Sequence, residues 1–457
     1  MKGKQIIISF IVLVLLSVYL YFGEIKKREK KEMEKNKQET IYPDFKKDNI
    51  SEIVVQTIDK KFVCKKVGND WLLTEPVSCY ADEATIGSIL DRHSVAKSNR
   101  IIENANLADY GLTKPEVYIE FIGKDKTYRL NMGGYNPTGE SAYAYVPGNT
   151  TTVYLIPKHL RLDCDKELKD FRYKGLMKFT DDKVTEIVVN LKEKEKKYKL
   201  KKEGEWWYIT SPVSKTAKNE RISTYLSYMK NTGIKNFIDS KDEAKYGLLN
   251  SSEYIDVYFG KDKKRVYFGK EEKSQNSRYA KSTEHKEILE IPDYIYNGIS
   301  KLDEIINKQV FLFMQDKVEK ISVKYGDKSI VAKKYKDKNG AEQWQYLEFK
   351  NIPSKKKSSI YIFGVASNLY WQEYKSVIEK FDQKDEAEKY GLVPGLAEIK
   401  LYGKNDELFG TLILGGKVPG KEAGKEEIYV KVPEKNIIYT IDANYVKNIN
   451  LPDLEVK

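Results

Sequence analysis

Beyond residue 47 the chain changes hydrophobic period in a fixed order, and the order recurs three times. Each unit opens with apolar residues at period two: EIVV from Glu52, EIVV from Glu186 and KISV from Lys320, evenly spaced along the chain. Alternation of this kind predicts a half-buried strand. A tryptophan on a second or third strand follows (Trp71, Trp207, Trp344), and then a proline (Pro76, Pro212, Pro353). The period next lengthens to three and four in the stretches that begin at Asp82, Lys218 and Ser358, which predicts amphipathic helices. A short strand ends in Ile102, Ile238 or Ile378, and a polar turn leads to Tyr110-Gly111-Leu112, Tyr246-Gly247-Leu248 or Tyr390-Gly391-Leu392. Each of these glycines follows a short charged stretch, where a helix end calls for a left-handed residue. Alternating strands then flank Gly-Lys-Asp or Gly-Lys-Asn, which is hairpin chemistry. A further hairpin (from Ala142, Arg278 and Ile428) and a last strand (from Val153, Ile288 and Ile438) complete the unit.

These patterns predict an α+β fold of three tandem repeats, 48–179, 180–315 and 316–457. Each repeat is an antiparallel sheet of about seven short strands, backed on one face by two or three helices. A period this long signals domain duplication and not a solenoid.

The N-terminal region reads differently. After a short flank (1–5), Ile6 to Phe22 carries no charge and is long enough to span a bilayer as a helix of roughly 17 residues. Tyr19 and Tyr21 sit at the level of an interfacial belt. No small-residue cleavage site follows, so the expectation is an uncleaved transmembrane anchor. Residues 23–47 read as a charged stalk. Lys and Arg are denser on the C-terminal flank than on the N-terminal one, which by itself orients the repeats toward the cytoplasm.

Composition narrows the function classes. Eighty Lys and Arg against 68 Asp and Glu give a net charge of +12 over 457 residues, spread along a chain rich in both signs. This is not the concentrated patch of a nucleic-acid reader, and no nucleic-acid partner is expected. Three cysteines exclude a disulfide scaffold. Cys64 and Cys79, either side of Trp71, are two free thiols or, if their segments pair, a disulfide. His93, His159 and His285 stand in unrelated contexts with no second ligand at metal spacing, so no metal is expected. Gly415-Gly416-Lys417-Val418-Pro419-Gly420-Lys421 resembles a phosphate loop, but Glu422 stands where a Ser or Thr is needed and a strand follows. It reads as a hairpin loop, and no cofactor is expected. No carboxylate recurs in all three repeats in a buried context, so no catalytic residue is assigned; an envelope hydrolase, needing two carboxylates on one cleft, is the weakest reading. The lysine-rich run 192–202 reads first as a solvated edge hairpin whose charges block edge pairing, and second as a contact for anionic lipid headgroups or acidic wall polymer. Trp206 precedes the core-facing Trp207 and so faces the other side of its strand, where it either packs against the next repeat or serves as a candidate partner contact.

The ordered set of Trp, Pro, amphipathic helix, Tyr-Gly-Leu and a strand ended by an isolated Gly resembles the family known as domain of unknown function 4340, in three copies over nearly all of 48–457. The resemblance implies a membrane-anchored protein whose repeats lie outside the cytoplasm, against the charge count, and an accessory role beside ABC-type exporters of the gliding-motility kind. It transfers no catalytic residues. The leading expectation is a non-enzymatic extracytoplasmic accessory or scaffold of an ABC-type exporter or another envelope complex. The alternative is a module that binds cell-envelope glycan or anionic polymer.

Overall fold

The computed structural model describes residues 13–14, 17–31, 40–115, 117–353, 361–451 and 454. Most of Ile6 to Phe22 lies outside them. Among the described residues no helix is long and apolar enough to cross a membrane.

The fold is α+β and is dominated by three antiparallel sheets. The described residues fall into two compact units: those of Met1–Val213 with Asn219–Glu304, which hold two sheets, and those of Ser214–Lys218 with Ile305–Lys457, which hold the third. The first sheet has nine strands in the order Cys79–Tyr80, Asp70–Glu75, Lys61–Val67, Ile50–Gln56, Val117–Gly123, Thr127–Tyr135, Ser141–Tyr145, Thr152–Pro157 and Arg100–Glu103. The opening EIVV strand is therefore central, and the strand after the helix crosses to the far edge. The second sheet repeats this order from Trp206–Ser211 through Lys197–Glu203, Glu186–Asn190, Tyr254–Phe259, Asp262–Glu272, Ser277–Ser282 and Ile288–Pro292 to Asn236–Ile238. The third repeats it in eight strands, from Glu342–Lys350 to Ser376–Ile378. The strand number exceeds the seven expected because an edge strand such as Cys79–Tyr80 has only two residues, too few to show a period.

One helix per repeat covers one sheet face: α1 (Glu83–Ser94), α2 (Asn219–Lys230) and α3 (Ile362–Trp371). The period of three and four becomes a buried stripe: Ile86, Ile89, Leu90 and His93 in α1, and Ile222, Tyr225, Leu226 and Met229 in α2. Asp82 caps α1 by accepting from the Thr85 amide at 2.8 Å, a bond generally worth about 1 kcal/mol. The prolines after the first two tryptophans, Pro76 and Pro212, both follow cis peptide bonds.

The Tyr-Gly-Leu turn explains the isolated strand glycine. Gly111, Gly247 and Gly391 have φ of 69°, 68° and 61°, the left-handed region that favours glycine. The turn thereby drops Leu112, Leu248 and Leu392 into the core and lays the tyrosine carbonyl on Gly133, Gly269 or Gly415. A Cβ at Gly133 would lie 3.0 Å from Leu112 Cδ2 and 3.1 Å from the Tyr110 carbonyl; at Gly269 it would overlap the Tyr246 carbonyl outright. The same contact fixes Gly415-Gly416, whose Gly416 amide donates to the Tyr390 carbonyl at 2.8 Å. The phosphate-loop-like stretch is thus the end of strand Leu408–Lys417 and the hairpin to Glu427–Val432.

Two boundary expectations change. Ile41, Tyr42 and Phe45, read as stalk, are buried in the first core, where Tyr42 and Phe45 meet Phe121 edge-on. Three apolar residues between charged neighbours are too few to stand out by period. The lysine run is not an edge either. Lys197–Glu203 pairs with Glu186–Asn190 on one side and Trp206–Ser211 on the other. Its lysines avoid burial by alternation: Lys197, Lys199 and Lys201 face solvent while Tyr198 and Leu200 face the core.

Candidate functional site

A dense meeting of ionisable and aromatic side chains lies at the seam between the two sheets of the first compact unit. It is built by the segment Arg172–Phe179, which follows the short helix Leu168–Phe171 and crosses from one sheet to the other. The Met177 amide donates to the Met229 carbonyl at 3.0 Å, and Tyr173 donates to the Lys230 carbonyl at 2.7 Å, so this segment is stitched to the end of α2. Gly175 is required there, because a Cβ would collide with the Lys230 carbonyl.

Arg172 is buried. It donates to Glu287 at 2.7 Å and lies over the Phe237 ring at 3.9 Å. His285 makes a 2.7 Å hydrogen bond from Nε2 to the Gly175 carbonyl and meets Phe237 edge-on. Lys178 bridges Asp70 at 2.9 Å and Glu83 at 2.6 Å, while its amide donates to Glu284 at 3.3 Å. Between these groups is a cleft of about 360 Å³ lined by Leu72, Val77, Cys79, Arg172, His285 and Glu287, among others.

The electrostatics suit clamping better than reaction. Burial pushes the Cys79 thiol up, only partly opposed by Arg172. Burial likewise lowers His285, which stays neutral near pH 7. Burial works against the charge of Glu287, but the Arg172 hydrogen bond and charge outweigh it and hold the carboxyl below its ordinary range. A protonated thiol beside a neutral imidazole lacks the thiolate that nucleophilic chemistry requires. The buried Arg172–Glu287 pair is spent on joining the two sheets.

The sequence-marked residues are dispersed. Cys64 and Cys79 are free. Cys64 pairs with Leu73, and Leu73 with Cys79, so strand Asp70–Glu75 stands between the thiols. Two strand spacings are roughly 10 Å, beyond disulfide reach; of the two readings, free thiols is the one found. Cys164 is buried, with its thiol pushed up to about 12. His93 is fully buried and has an acidic partner that its sequence neighbourhood does not show: Asp163 Oδ2 lies 3.4 Å from Nε2, and Arg92 Nε donates to the same carboxylate at 3.0 Å. His159 is exposed. Among the described residues no group of three or more His, Cys, Asp and Glu is placed to hold a metal ion. Trp206 is half-buried and faces away from Trp207, beside Tyr208 on the outer sheet face. Arg172 has no signal in sequence, since its partners lie 115 and 65 residues away.

Comparison with known proteins agrees with the repeated motif. The model of a domain of unknown function (DUF4340) matches residues 71–251 and, overlapping it, 207–361. The chain belongs to this family. Among solved structures, the DNA polymerase III subunit beta of Pseudomonas aeruginosa aligns at 6% identity over 86% of this chain and 92% of its own, with a TM-score of 0.15. The sliding clamp of the same organism bound to griselimycin aligns at 7% identity over 86% and 90%, with a TM-score of 0.14. Likenesses at these scores carry no argument. No curated protein matches the chain.

Proposed function

We propose that the protein is a non-enzymatic scaffold, three repeats carried outside the cytoplasm on an N-terminal anchor, serving an ABC-type exporter or another envelope complex. The observation that carries this reading is the seam. Arg172 bonds Glu287 and His285 bonds the Gly175 carbonyl, and these two contacts tie the two sheets together. A locked pair of sheets presents binding surfaces in a fixed relation, which is what a scaffold needs. Trp206, on the outer face of the second sheet, is the candidate contact.

The test places a photo-crosslinking residue at position 206 of the full chain in its native membrane, with Asp59 in a first-sheet turn as the comparison position. A discrete adduct with a membrane protein from position 206 alone is the expected result. Identical, diffuse adducts from both positions, or digestion of the repeats only after membrane lysis, would overturn the proposal.

A further inference from the structure

The outer face of the second sheet, away from α2, is ordered in cross-strand rows. One row runs Lys197, Asn190, Tyr254, Tyr267, Lys281; the next Lys199, Val188, Asp256, Arg265, Thr283; the third Lys201, Glu186, Tyr258, Lys263. Residues in register share a face, so six cations meet two acids on one surface. Glu203, next on the same face, pairs with Lys201 at 3.2 Å, and Lys281 pairs with Glu243, but these acids leave part of the positive charge open. Asp256 is only 2% exposed, and its one charge is shared between Arg265, in a two-point pairing that includes a 2.6 Å bond, and Lys263 at 3.6 Å. Lys197, Lys199, Lys201 and Lys263 are exposed, and among the described residues Lys197 and Lys199 have no ion-pair partner. The rows end at a cavity of about 450 Å³ lined by Arg265, Tyr267, Lys281, Asn250 and Thr283, among others.

The first sheet shows what a neutralised face looks like. There Lys65 pairs with Glu52 at 3.1 Å, Lys61 with Glu75 at 2.9 Å and Arg129 with Glu120 at 3.9 Å. We infer that the outer face of the second sheet binds a linear phosphate-bearing polymer, with Lys197, Lys199 and Lys201 taking successive phosphates and the Arg265 end holding a further one. This goes beyond the scaffold reading and stands without it.

The geometry favours a backbone-only polyanion over a nucleic acid. Lysines alternating along a strand are about 7 Å apart, which suits a flexible chain with an anion at each such step. The tyrosines of the rows are not open stacking platforms. Arg265 covers Tyr254 at 3.9 Å and lies 5.3 Å from the Tyr267 ring, and Lys263 lies 5.9 Å from that of Tyr258. Bases need free ring faces.

The test measures binding of long-chain inorganic polyphosphate to the full chain across a salt series, beside neutral dextran and an oligothymidylate of matched charge. Polyphosphate binding that weakens steeply with salt is expected. Lys197/Lys199/Lys201→Gln should weaken it by at least about tenfold and lower the salt slope by roughly 2, whereas Lys61/Lys65→Gln should leave it unchanged. All five lysines are solvent-facing, and an unchanged melting temperature certifies the folds. Lys199→Gln alone should act in the same direction at a fraction of the size. Equal binding by the triple variant and the wild type, or tighter binding of oligothymidylate than of polyphosphate, would overturn the inference.

Discussion

The first two repeats set the same helix on the same sheet, yet they fill the fourth buried helix position with opposite chemistry. In α2 the position is Met229, and the polar need of the interface is met by tyrosines: Tyr198 donates to the Ser300 carbonyl at 2.9 Å and meets the Tyr225 hydroxyl at 3.2 Å. In α1 it is His93, held against Asp163, which also takes Arg92. One solution uses neutral hydroxyls and the other uses ionisable groups. The backbone tolerates both because the helix needs four buried side chains of adequate volume, not four particular ones. The difference is that only the first repeat makes its helix contact depend on protonation.

Removing the charge that organises the first solution should do the most damage. Asp163→Ala leaves Arg92 and a buried imidazole without a partner, and should cost about 3 kcal/mol in denaturant unfolding. Asp163 is 2% exposed; a loss below 1 kcal/mol would show that the pair is incidental. The strand glycine separates the repeats next. Gly269→Ala should cost about 3 kcal/mol and Gly133→Ala about 1 kcal/mol, because only the former meets a rigid carbonyl at full overlap. Equal losses would mean that the Tyr-Gly-Leu turn moves freely in both repeats.

The pH prediction tests the comparison itself. Burial holds His93 below its ordinary value of 6.5, and Arg92 and His93 hold Asp163 below 3.8 against its own burial. An unfolded histidine takes up a proton that the folded one refuses, so this stability is complete above pH 6.5 and declines as pH falls below it; the Asp163 share is lost only below pH 3.8. His93→Met, which copies the second repeat, should flatten the decline just below pH 6.5. A remainder from His285, also lowered by burial, should persist. An unchanged slope in His93→Met would remove His93 as its source. Smallest is Tyr198→Phe in the second repeat, which should cost about 1 kcal/mol with no change in pH dependence.

Local chemistry was legible and long-range pairing was not. The helix that begins at Asp82, the left-handed glycines and the hairpin turns are each decided within a few residues, and they stand where the pattern put them. The lysine run had the right strand and the wrong place in the sheet, because period shows which face a residue takes and not which strand comes next. The residues that make the seam, Arg172, Glu287 and His285, are joined only by the fold. So are two ion pairs that recur in the second and third repeats, Lys281 with Glu243 and Lys431 with Glu386, where a lysine on a strand meets a glutamate just before Tyr-Gly-Leu. Those glutamates stand three and four residues before their tyrosines, and the one-residue offset hid the recurrence.

The central placement of each opening strand bears on how the chain is made. Ile50–Gln56 finds its hairpin partner Lys61–Val67 at once, but its other neighbour is Val117–Gly123. Until that stretch leaves the ribosome, half a sheet waits with a raw, unpaired edge, the kind that invites the wrong strand. The next repeat carries the same tetrapeptide, EIVV, at Glu186. Emergence in order favours the native pairing, since Val117–Gly123 is synthesised before its rival as partner for Ile50–Gln56, the equivalent strand Tyr254–Phe259, and before the twin of Ile50–Gln56 at 186. Order of synthesis separates the twins in time, whereas refolding from denaturant presents both copies at once.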